Sequence, residues 1–137
     1  MKIKCLLIKP GEKVKVQRIP GNIKFIKSLI GNRLIRIKLE ENAIILANKD
    51  AKKIDFNRIL GDKIINGTFL VVGIKESRRV SLKKCQVRKY SNYFKLEKHE
   101  KRINQYKDNL LNMYYISTLE INKGKHSYDY ESIQNVA

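Results

Sequence analysis

Histidine and cysteine are scarce in this chain, which contains two of each among its 137 residues. The sequence has no C-x-x-C pair, and His99 and His126 each stand without a second ligand residue at zinc spacing. Cys5 and Cys85 both lie in apolar patterns, which are typical of buried thiols in a reducing compartment. The sequence therefore predicts no metal site and no cofactor.

The residue combinations that support catalysis are also missing. Both histidines lie in the C-terminal part of the chain, so a Ser–His or Cys–His pair is not expected. Glu40 and Glu41 are neighbours in sequence, but no other feature marks a pocket around them. The phosphate-loop patterns G-x-x-x-x-G-K-[ST] and G-x-G-x-x-G do not occur. We therefore expect a protein that is not an enzyme.

Long apolar runs do not occur either. The longest run, FLVVGI at residues 69–74, is too short to span a bilayer. The N-terminal stretch MKIKCLLIKP has an apolar segment too short for the core of a signal peptide. The sequence therefore predicts a soluble, cytoplasmic protein with no membrane partner.

Acidic residues are few relative to basic ones, because 13 Asp and Glu stand against 30 Lys and Arg and give a net charge of +17. Such a charge favours polyanionic partners, and nucleic acid first among them, because neutralised phosphates release counterions. The alternative is a lysine-rich surface that reflects biased codon usage. Cations also alternate with apolar residues in predicted strands and would share one face if those strands were adjacent: Lys2, Lys4, Lys13, Lys15, Arg36 and Lys38.

The basic residues are densest between residues 76 and 107, where 11 Lys and Arg accompany three acids. Ser81 is predicted to cap a helix that runs to about Phe94, and the start of that helix would point backbone N–H groups at an anion. Lys84 and Arg88, four residues apart, would share a face of that helix. The alternative is a face that is merely solvated. The nucleic-acid-binding residues predicted from this stretch are Arg78, Arg79, Lys83, Lys84, Arg88, Lys89, Lys98 and Arg102.

Apolar periodicity predicts an α+β fold with a small, mostly antiparallel sheet of about five strands, one short helix and C-terminal helices. Strands are expected at residues 2–9, around Val14 and Val16, and at 34–39, 43–47 and 68–74. Asn22 is the expected N-cap of the short helix, and Gly31 stands where its C-cap belongs.

The composition changes after Phe94, which divides the chain into a domain at 1–94, a long basic helix at 95–116 and a polar tail at 117–137. The tail is expected to be loosely held, although Tyr128 and Tyr130 could dock. The long helix carries an apolar seam with alternating spacings of three and four: Leu96, His99, Ile103, Tyr106, Leu110 and Met113. This seam is expected to dock onto the protein's own sheet, or alternatively to form a homodimer or bind a partner through residues 96–116.

The stretch NRILGDKIINGTFLVVG, at residues 57–73, combines an Asn-Arg pair with a glycine that leads into an apolar strand. Gly67 fits a bend into a central strand, and Gly73 fits a bulge or a close backbone approach. Asn57 would bond its own turn, and Arg58 would pair with Asp55, Asp62 or a buried carbonyl. The alternative is that Asn57 and Arg58 line a pocket in which Arg58 grips a phosphate or carboxylate.

Residues 1 to about 94 resemble an uncharacterised bacterial and phage family, domain of unknown function 3846. The matching pieces are LLIKPGEK at 6–13, LIGN at 29–32, AIILANKD at 43–50, Asn57-Arg58, GTFLVVG at 67–73, Ser81-Leu82 and the segment 90–94. The resemblance implies a small α+β domain from mobile elements and no particular activity. The segment after residue 94 and the strong basic charge lie outside the family pattern.

Charge and resemblance together favour a non-catalytic binding protein of a phage or mobile element. Its expected partner is nucleic acid or a host nucleoprotein complex, with inhibition of a host defence system, either CRISPR or restriction, as one form of this function. One alternative is a small domain that sequesters a nucleotide through Asn57 and Arg58. Another is an adaptor that recruits a partner through its C-terminal helix.

Overall fold

A computed structural model describes residues 1–122, with side chains as far as residue 112. Eight strands and three helices follow one another along these residues. Their order is β1 (Lys2–Ile8), β2 (Lys15–Pro20), α1 (Ile23–Ile30), β3 (Leu34–Glu40), β4 (Ala43–Asn48), β5 (Phe56–Leu60), β6 (Lys63–Asn66), β7 (Phe69–Lys75), β8 (Arg78–Val80), α2 (Lys84–Tyr93) and α3 (Leu96–Asn122).

An antiparallel sheet forms the centre of the domain, with the strand order β2-β1-β7-β4-β3 and with β8 paired to β7. β7 is the central strand and carries the apolar run that the sequence marks as most buried. A separate two-stranded hairpin is formed by β5 and β6. The α+β class, the mostly antiparallel sheet and the single short helix are therefore confirmed, and the hairpin is an addition to them.

The two faces of the sheet build separate cores, because alternate residues of each strand point to opposite sides. One face packs against α1, where it contacts Ile26 and Ile30. The sheet residues of this core are Ile3, Cys5, Leu7, Ile44, Leu46, Leu70 and Val72. The other face packs against α2 and the hairpin, with Leu6, Ile8, Ile45, Ala47, Phe69 and Val71 meeting Ile65, Leu82, Tyr90 and Phe94.

The short helix begins and ends as the sequence predicts. The side chain of Asn22 accepts a hydrogen bond from the N–H of Phe25 at 2.8 Å, which satisfies one donor of the first turn. Gly31 ends the helix at φ +147°, and a Cβ at this position would lie 2.6 Å from Cγ of Asn48. Glycine is therefore required here for both its backbone angle and its lack of a side chain.

The second helix starts later than predicted. Lys83 is its N-cap, and the N–H of Lys83 donates to Oε1 of Gln86 at 2.9 Å. The Ser81 hydroxyl instead accepts from the N–H of Lys4 at 2.9 Å and fastens β1 to the segment after β8. The predicted Ser81 cap is therefore wrong, because a long-range strand contact takes the hydroxyl.

The long helix docks on the hairpin of its own chain. Ile103 is buried against Phe56 and Ile59, and Tyr106 and Leu110 pack against the same cluster. The seam predicted at 96–116 is thus covered within the chain as far as Leu110. The helix continues to Asn122, beyond the predicted end at 116, and the remainder of the predicted tail, at 123–137, lies outside the described residues.

The strand cations do not share one face, contrary to the sequence expectation. The register places Lys2 and Lys4 on the face toward α2, whereas Lys15, Arg36 and Lys38 are on the face toward α1. In addition, β7 and β4 separate β3 from β1. Strand order and pairing parity, which the local pattern does not contain, decide this outcome.

Candidate nucleic-acid interface

Asn57 and Arg58 lie inside the protein and hold its segments together. Both residues have no exposed surface. The side-chain N–H₂ of Asn57 donates to the carbonyl oxygens of Ile8, at 2.9 Å, and Gly67, at 2.7 Å. Asn57 sits at a register shift in β5, where a bulge re-aims its side chain toward these two oxygens.

Arg58 uses four of its N–H groups on oxygens of its own chain. Nε donates to the carbonyl of Phe94 at 2.7 Å, Nη1 donates to the carbonyl and side-chain oxygens of Asn57, and Nη2 donates to the carbonyl of Glu12. Burial lowers the pKa of Arg58, although the charges of Glu100 and Glu97 oppose that effect. Because its donors are engaged and buried, the alternative role of Asn57 and Arg58 in gripping a ligand is wrong.

These bonds instead fix the surface above them. Glu12 lies in the turn between β1 and β2, and Phe94 ends α2. Arg58 lies beneath the surface, and its hydrogen bonds therefore link this turn, the hairpin and the junction of α2 with α3. The cations on those segments gain a fixed relative position through one buried side chain.

Two shallow hollows open on that surface and meet at Asn92. One lies between α2 and α3 and includes Lys89, Lys98 and Arg102 among its lining residues. The other lies between the β1–β2 turn and the start of α3 and includes Lys13, Arg88 and Lys95. We call these six cations the basic corner: Lys13, Arg88, Lys89, Lys95, Lys98 and Arg102.

The charge of the basic corner is largely uncompensated. Lys89 Nζ lies 3.1 Å from a carboxylate oxygen of Glu40. Within the described residues, the other five cations form no ion pair at 4.0 Å or less. Glu97 is the one acidic residue among those that line the two hollows. The corner is thus a local concentration of positive charge on a fixed frame.

Aromatic side chains stand among these cations. Tyr93 is 42% exposed, and its hydroxyl accepts from the N–H of Gly61 at 3.1 Å. Its ring packs edge-on against Phe94 with centroids 4.8 Å apart. These contacts hold a partly exposed aromatic ring at the wall of the first hollow, where Lys98 and Arg102 also lie.

His99 is the buried floor of the same hollow. Its Nδ1 accepts from the N–H of Ile59 at 3.1 Å, so Nε2 carries the proton and donates to the carbonyl of Tyr93 at 2.8 Å. Burial lowers the pKa of His99, and the charges of Arg58, Arg102 and Lys98 lower it further, while the bond to Tyr93 raises it. His99 is therefore a neutral structural residue that docks α3 onto β5 and α2.

Glu40 anchors α2 to the sheet from the end of β3. Its carboxylate accepts from Tyr90 Oη, from Gln86 Nε2 at 3.2 Å and from Lys89 Nζ at 3.1 Å. The hydrogen bond from Tyr90, followed by those from Gln86 and Lys89, lowers the pKa of Glu40 to about 2. Glu40 therefore compensates one cation of the basic corner and holds the helix that carries it.

The eight predicted nucleic-acid contacts fall into two groups. Arg88, Lys89, Lys98 and Arg102 belong to the basic corner, and Lys84 lies one helical turn from Arg88 on the exposed side of α2. Nζ of Lys98 also donates to the side chain of Asn92 at 3.0 Å, which places this lysine at the meeting point of the hollows.

Arg78, Arg79 and Lys83 lie away from this surface. Nε of Arg79 donates to the carbonyl of Gly21 at 3.0 Å, on the side of the sheet that packs against α1. Lys83 lines a separate depression at the start of α2, together with Lys75 and Gln86. The single cluster predicted around one helix start is therefore not formed, because the pairing of β8 turns Arg79 toward α1 and Lys83 lines a separate depression.

Sequence reasoning assigned no binding role to Lys95 and Tyr93 and placed Lys13 on a strand face. Lys95 immediately follows the end of α2, and Lys13 lies in the Pro-Gly turn that Arg58 fastens beneath the corner. The signal for Lys95 was its position at a helix boundary within the basic stretch. No local signal marks Lys13, because more than 70 residues separate it from Arg88.

Among the side chains that the structure describes, no group of three or more His, Cys, Asp or Glu is placed to hold a metal ion. None of the three helices within residues 1–122 combines enough length with enough apolar character to cross a membrane.

Comparison with known proteins gave one match. A family model described as "Domain of unknown function (DUF3846)" matches residues 1–95, a span that ends at the α2–α3 junction of the basic corner. No curated protein and no solved structure matches the chain.

Proposed function

The chain belongs to the DUF3846 family, whose description names no activity, and we propose that this member is a non-catalytic protein that binds nucleic acid through the basic corner. The observation that carries the proposal is the convergence of six cations on one rigid surface with one acid among the lining residues. The family match ends at residue 95, so Lys98 and Arg102 lie outside the matched residues.

A polyanion is the ligand that suits this surface. The net charge of +17 raises the local concentration of phosphate-bearing ligands, and each neutralised phosphate releases counterions. The hollows are shallow and lined by long, exposed lysine and arginine side chains, which suits contact with a backbone that runs across the surface. The proposal therefore concerns sequence-independent binding to phosphates.

Single strands suit it better than duplexes. Tyr93 presents a partly exposed ring beside Lys98 and Arg102, and bases of a single strand stack on such rings while cations hold the backbone. We further propose that the protein acts in the cytoplasm, on nucleic acid that is free or held in a nucleoprotein complex. The sequence also predicts that a phage or mobile element uses this protein to inhibit a host defence complex. Binding through the basic corner would serve that inhibition.

The decisive experiment measures affinity for a labelled oligothymidylate at several salt concentrations. The test variant carries Arg88→Glu and Lys95→Glu. The matched control carries Lys24→Glu and Arg36→Glu, which change the net charge equally but lie on α1 and on the sheet face toward α1. Circular dichroism melting shows whether both variants fold.

We expect the test variant to bind more weakly and to lose about 0.7 of salt slope per phosphate contact removed, or about 0.9 on duplex DNA. The control should keep most of the salt slope of the unmodified protein. Equal losses in the two variants would show that only overall charge matters, and the basic corner would then be rejected as the binding surface. A Tyr93→Leu variant that keeps full affinity for single strands would reject the stacking contact.

A further inference from the structure

The outer edge of β3 has no strand partner among the described residues. The carbonyl of Arg33 accepts from the N–H of Lys49 at 2.8 Å, one step beyond the pairing of Leu34 with Asn48. Hydrogen-bonded and non-hydrogen-bonded pairs alternate along an antiparallel ladder. The N–H and C=O groups of Leu34, Arg36 and Lys38 therefore point outward, where another strand can pair with them.

An apolar groove of about 490 Å³ runs beside this edge, between the sheet and the hairpin. Its apolar lining is contributed by β3, β4, β5 and β6 through Ile35, Ile37, Ala47, Leu60, Ile64 and Ile65. Ile35 is 39% exposed. The groove thus offers an apolar surface next to free main-chain groups.

The polar groups around the groove indicate the charge of its ligand. Lys49, Lys53 and Lys63 also line it, and all three are exposed. Asn66 lines it as well, and its buried Oδ1 has no hydrogen-bond partner within the described part of the chain. The surroundings of the groove are therefore positively charged and include an unused acceptor, which favours a ligand with net negative charge and N–H donors.

We propose that the edge of β3 binds an extended segment of a partner protein in which acidic and apolar residues alternate. The segment adds to the sheet as an antiparallel strand next to β3. This function is separate from nucleic-acid binding, because β3 lies at the sheet edge opposite β2 and contributes no residue to the basic corner.

The alternation follows from the two faces of β3. Ile35 and Ile37 pair with Ala47 and Ile45 and lie on the groove side. Arg36 and Lys38 lie on the other side, which faces α1. An incoming strand would therefore place apolar side chains over the groove and acids beside Arg36 and Lys38, at alternate positions. Lys38 also contacts Glu41 at 3.1 Å, so Arg36 is the cation of this face without an ion pair among the described residues.

The other edge of the sheet lacks these features. In β2, Pro20 has no N–H to offer, and Val16 is the one large exposed apolar residue of that strand. β2 contributes no residue to the groove. The edge of β3 is therefore the site at which strand addition and side-chain recognition coincide.

The test uses fluorescence anisotropy with the full chain and a labelled peptide of about seven residues that alternates glutamate and valine. A peptide of the same composition with its glutamates and valines in separate blocks controls for attraction to the overall positive charge. Two further peptides carry N-methyl groups, one on every glutamate and one on every valine. In an antiparallel ladder the glutamates lie opposite Leu34, Arg36 and Lys38, so their N–H groups donate to β3.

We expect the alternating peptide to bind about tenfold more tightly than the block peptide. Methylation of the glutamates should weaken the binding of the alternating peptide, whereas methylation of the valines should not. In the protein, Arg36→Pro removes both charge and the outward N–H, whereas Arg36→Ala removes only charge. The proline variant should therefore bind about tenfold more weakly than the alanine variant.

Three results would overturn the proposal. One is equal binding of the alternating and block peptides, which would indicate attraction to charge alone. Another is equal binding of the two methylated peptides, which would show that no ladder forms. The third is a concentration-dependent dimer in sedimentation that Arg36→Pro converts to monomer, because β3 would then pair with a second copy of the chain. The methylated peptides decide the question even if the proline variant fails to fold.

Discussion

Arg58 donates from Nε to the carbonyl oxygen of Phe94 across 2.7 Å, and this bond ties the hairpin to the end of α2. The same guanidinium reaches the carbonyl of Glu12 in the β1–β2 turn. Residues that are 36 and 46 positions away along the chain are thereby held by one side chain. The motif that suggested a ligand site is a structural clamp beneath the basic corner.

Replacing Arg58 with lysine should destabilise the protein by more than about 2 kcal/mol. A single ammonium cannot reach acceptors in three segments, and buried carbonyls that lose a charged donor are costly. Urea denaturation measures the change. Arg33→Lys is the matched control, because the Arg33 side chain is 61% exposed and its ion pair with Asp50 contributes little. Equal midpoints for the two variants would contradict the clamp.

Phe69→Ala should lower the free energy of unfolding by about 3–5 kcal/mol, because it opens a cavity in the centre of the sheet. The ring of Phe69 is fully buried and meets Phe94 edge-on, with centroids 5.4 Å apart. Thermal melting measures the change. Phe25→Ala is the control, because Phe25 is 36% exposed. An unchanged melting temperature combined with lost ligand binding would assign Phe69 to a binding surface.

Glu40 should make stability depend on acid pH. Its pKa is about 2 in the folded protein and 4.5 ordinarily, so the unfolded chain binds more protons between these values. The stabilisation by its charge is therefore complete above about pH 4.5 and is lost as the pH falls toward 2. The difference in unfolding free energy between the unmodified protein and Glu40→Gln should shrink over that window. Glu41→Gln is the control, because its side chain is 92% exposed.

His99 should contribute a second pH dependence near neutrality. Its pKa lies below the ordinary value of 6.5, so the unfolded chain binds the proton first as the pH falls. Stability should therefore decline below about pH 6.5, because protonated Nδ1 can no longer accept from Ile59. Chemical denaturation should show that the free energy of unfolding differs less between pH 7 and pH 5 in His99→Gln than in the unmodified protein.

The control for that experiment is His126→Gln, which removes the other histidine of the chain. If His126→Gln removes the pH difference and His99→Gln retains it, the neutral docking role of His99 is contradicted.

The sequence by itself determined the α+β class, the caps of the short helix and the central apolar strand. These features depend on neighbours in sequence, such as the bond from Phe25 to Asn22 and the alternation within Phe69–Lys75. It also identified four members of the basic corner, because they lie in one dense basic stretch. The hairpin of β5 and β6 was missed because its strands are short and follow several turn residues.

Only the tertiary structure decided which cations meet. The pairing register of β8 turns Arg79 toward α1, and the clamp of Arg58 brings Lys13 beside Arg88. The tertiary structure also decided that Ser81 forms a hydrogen bond with β1 rather than capping a helix, and that the seam of α3 faces the hairpin. Each of these outcomes depends on contacts between residues far apart in sequence, whose geometry is fixed only when the two faces of the sheet have been covered.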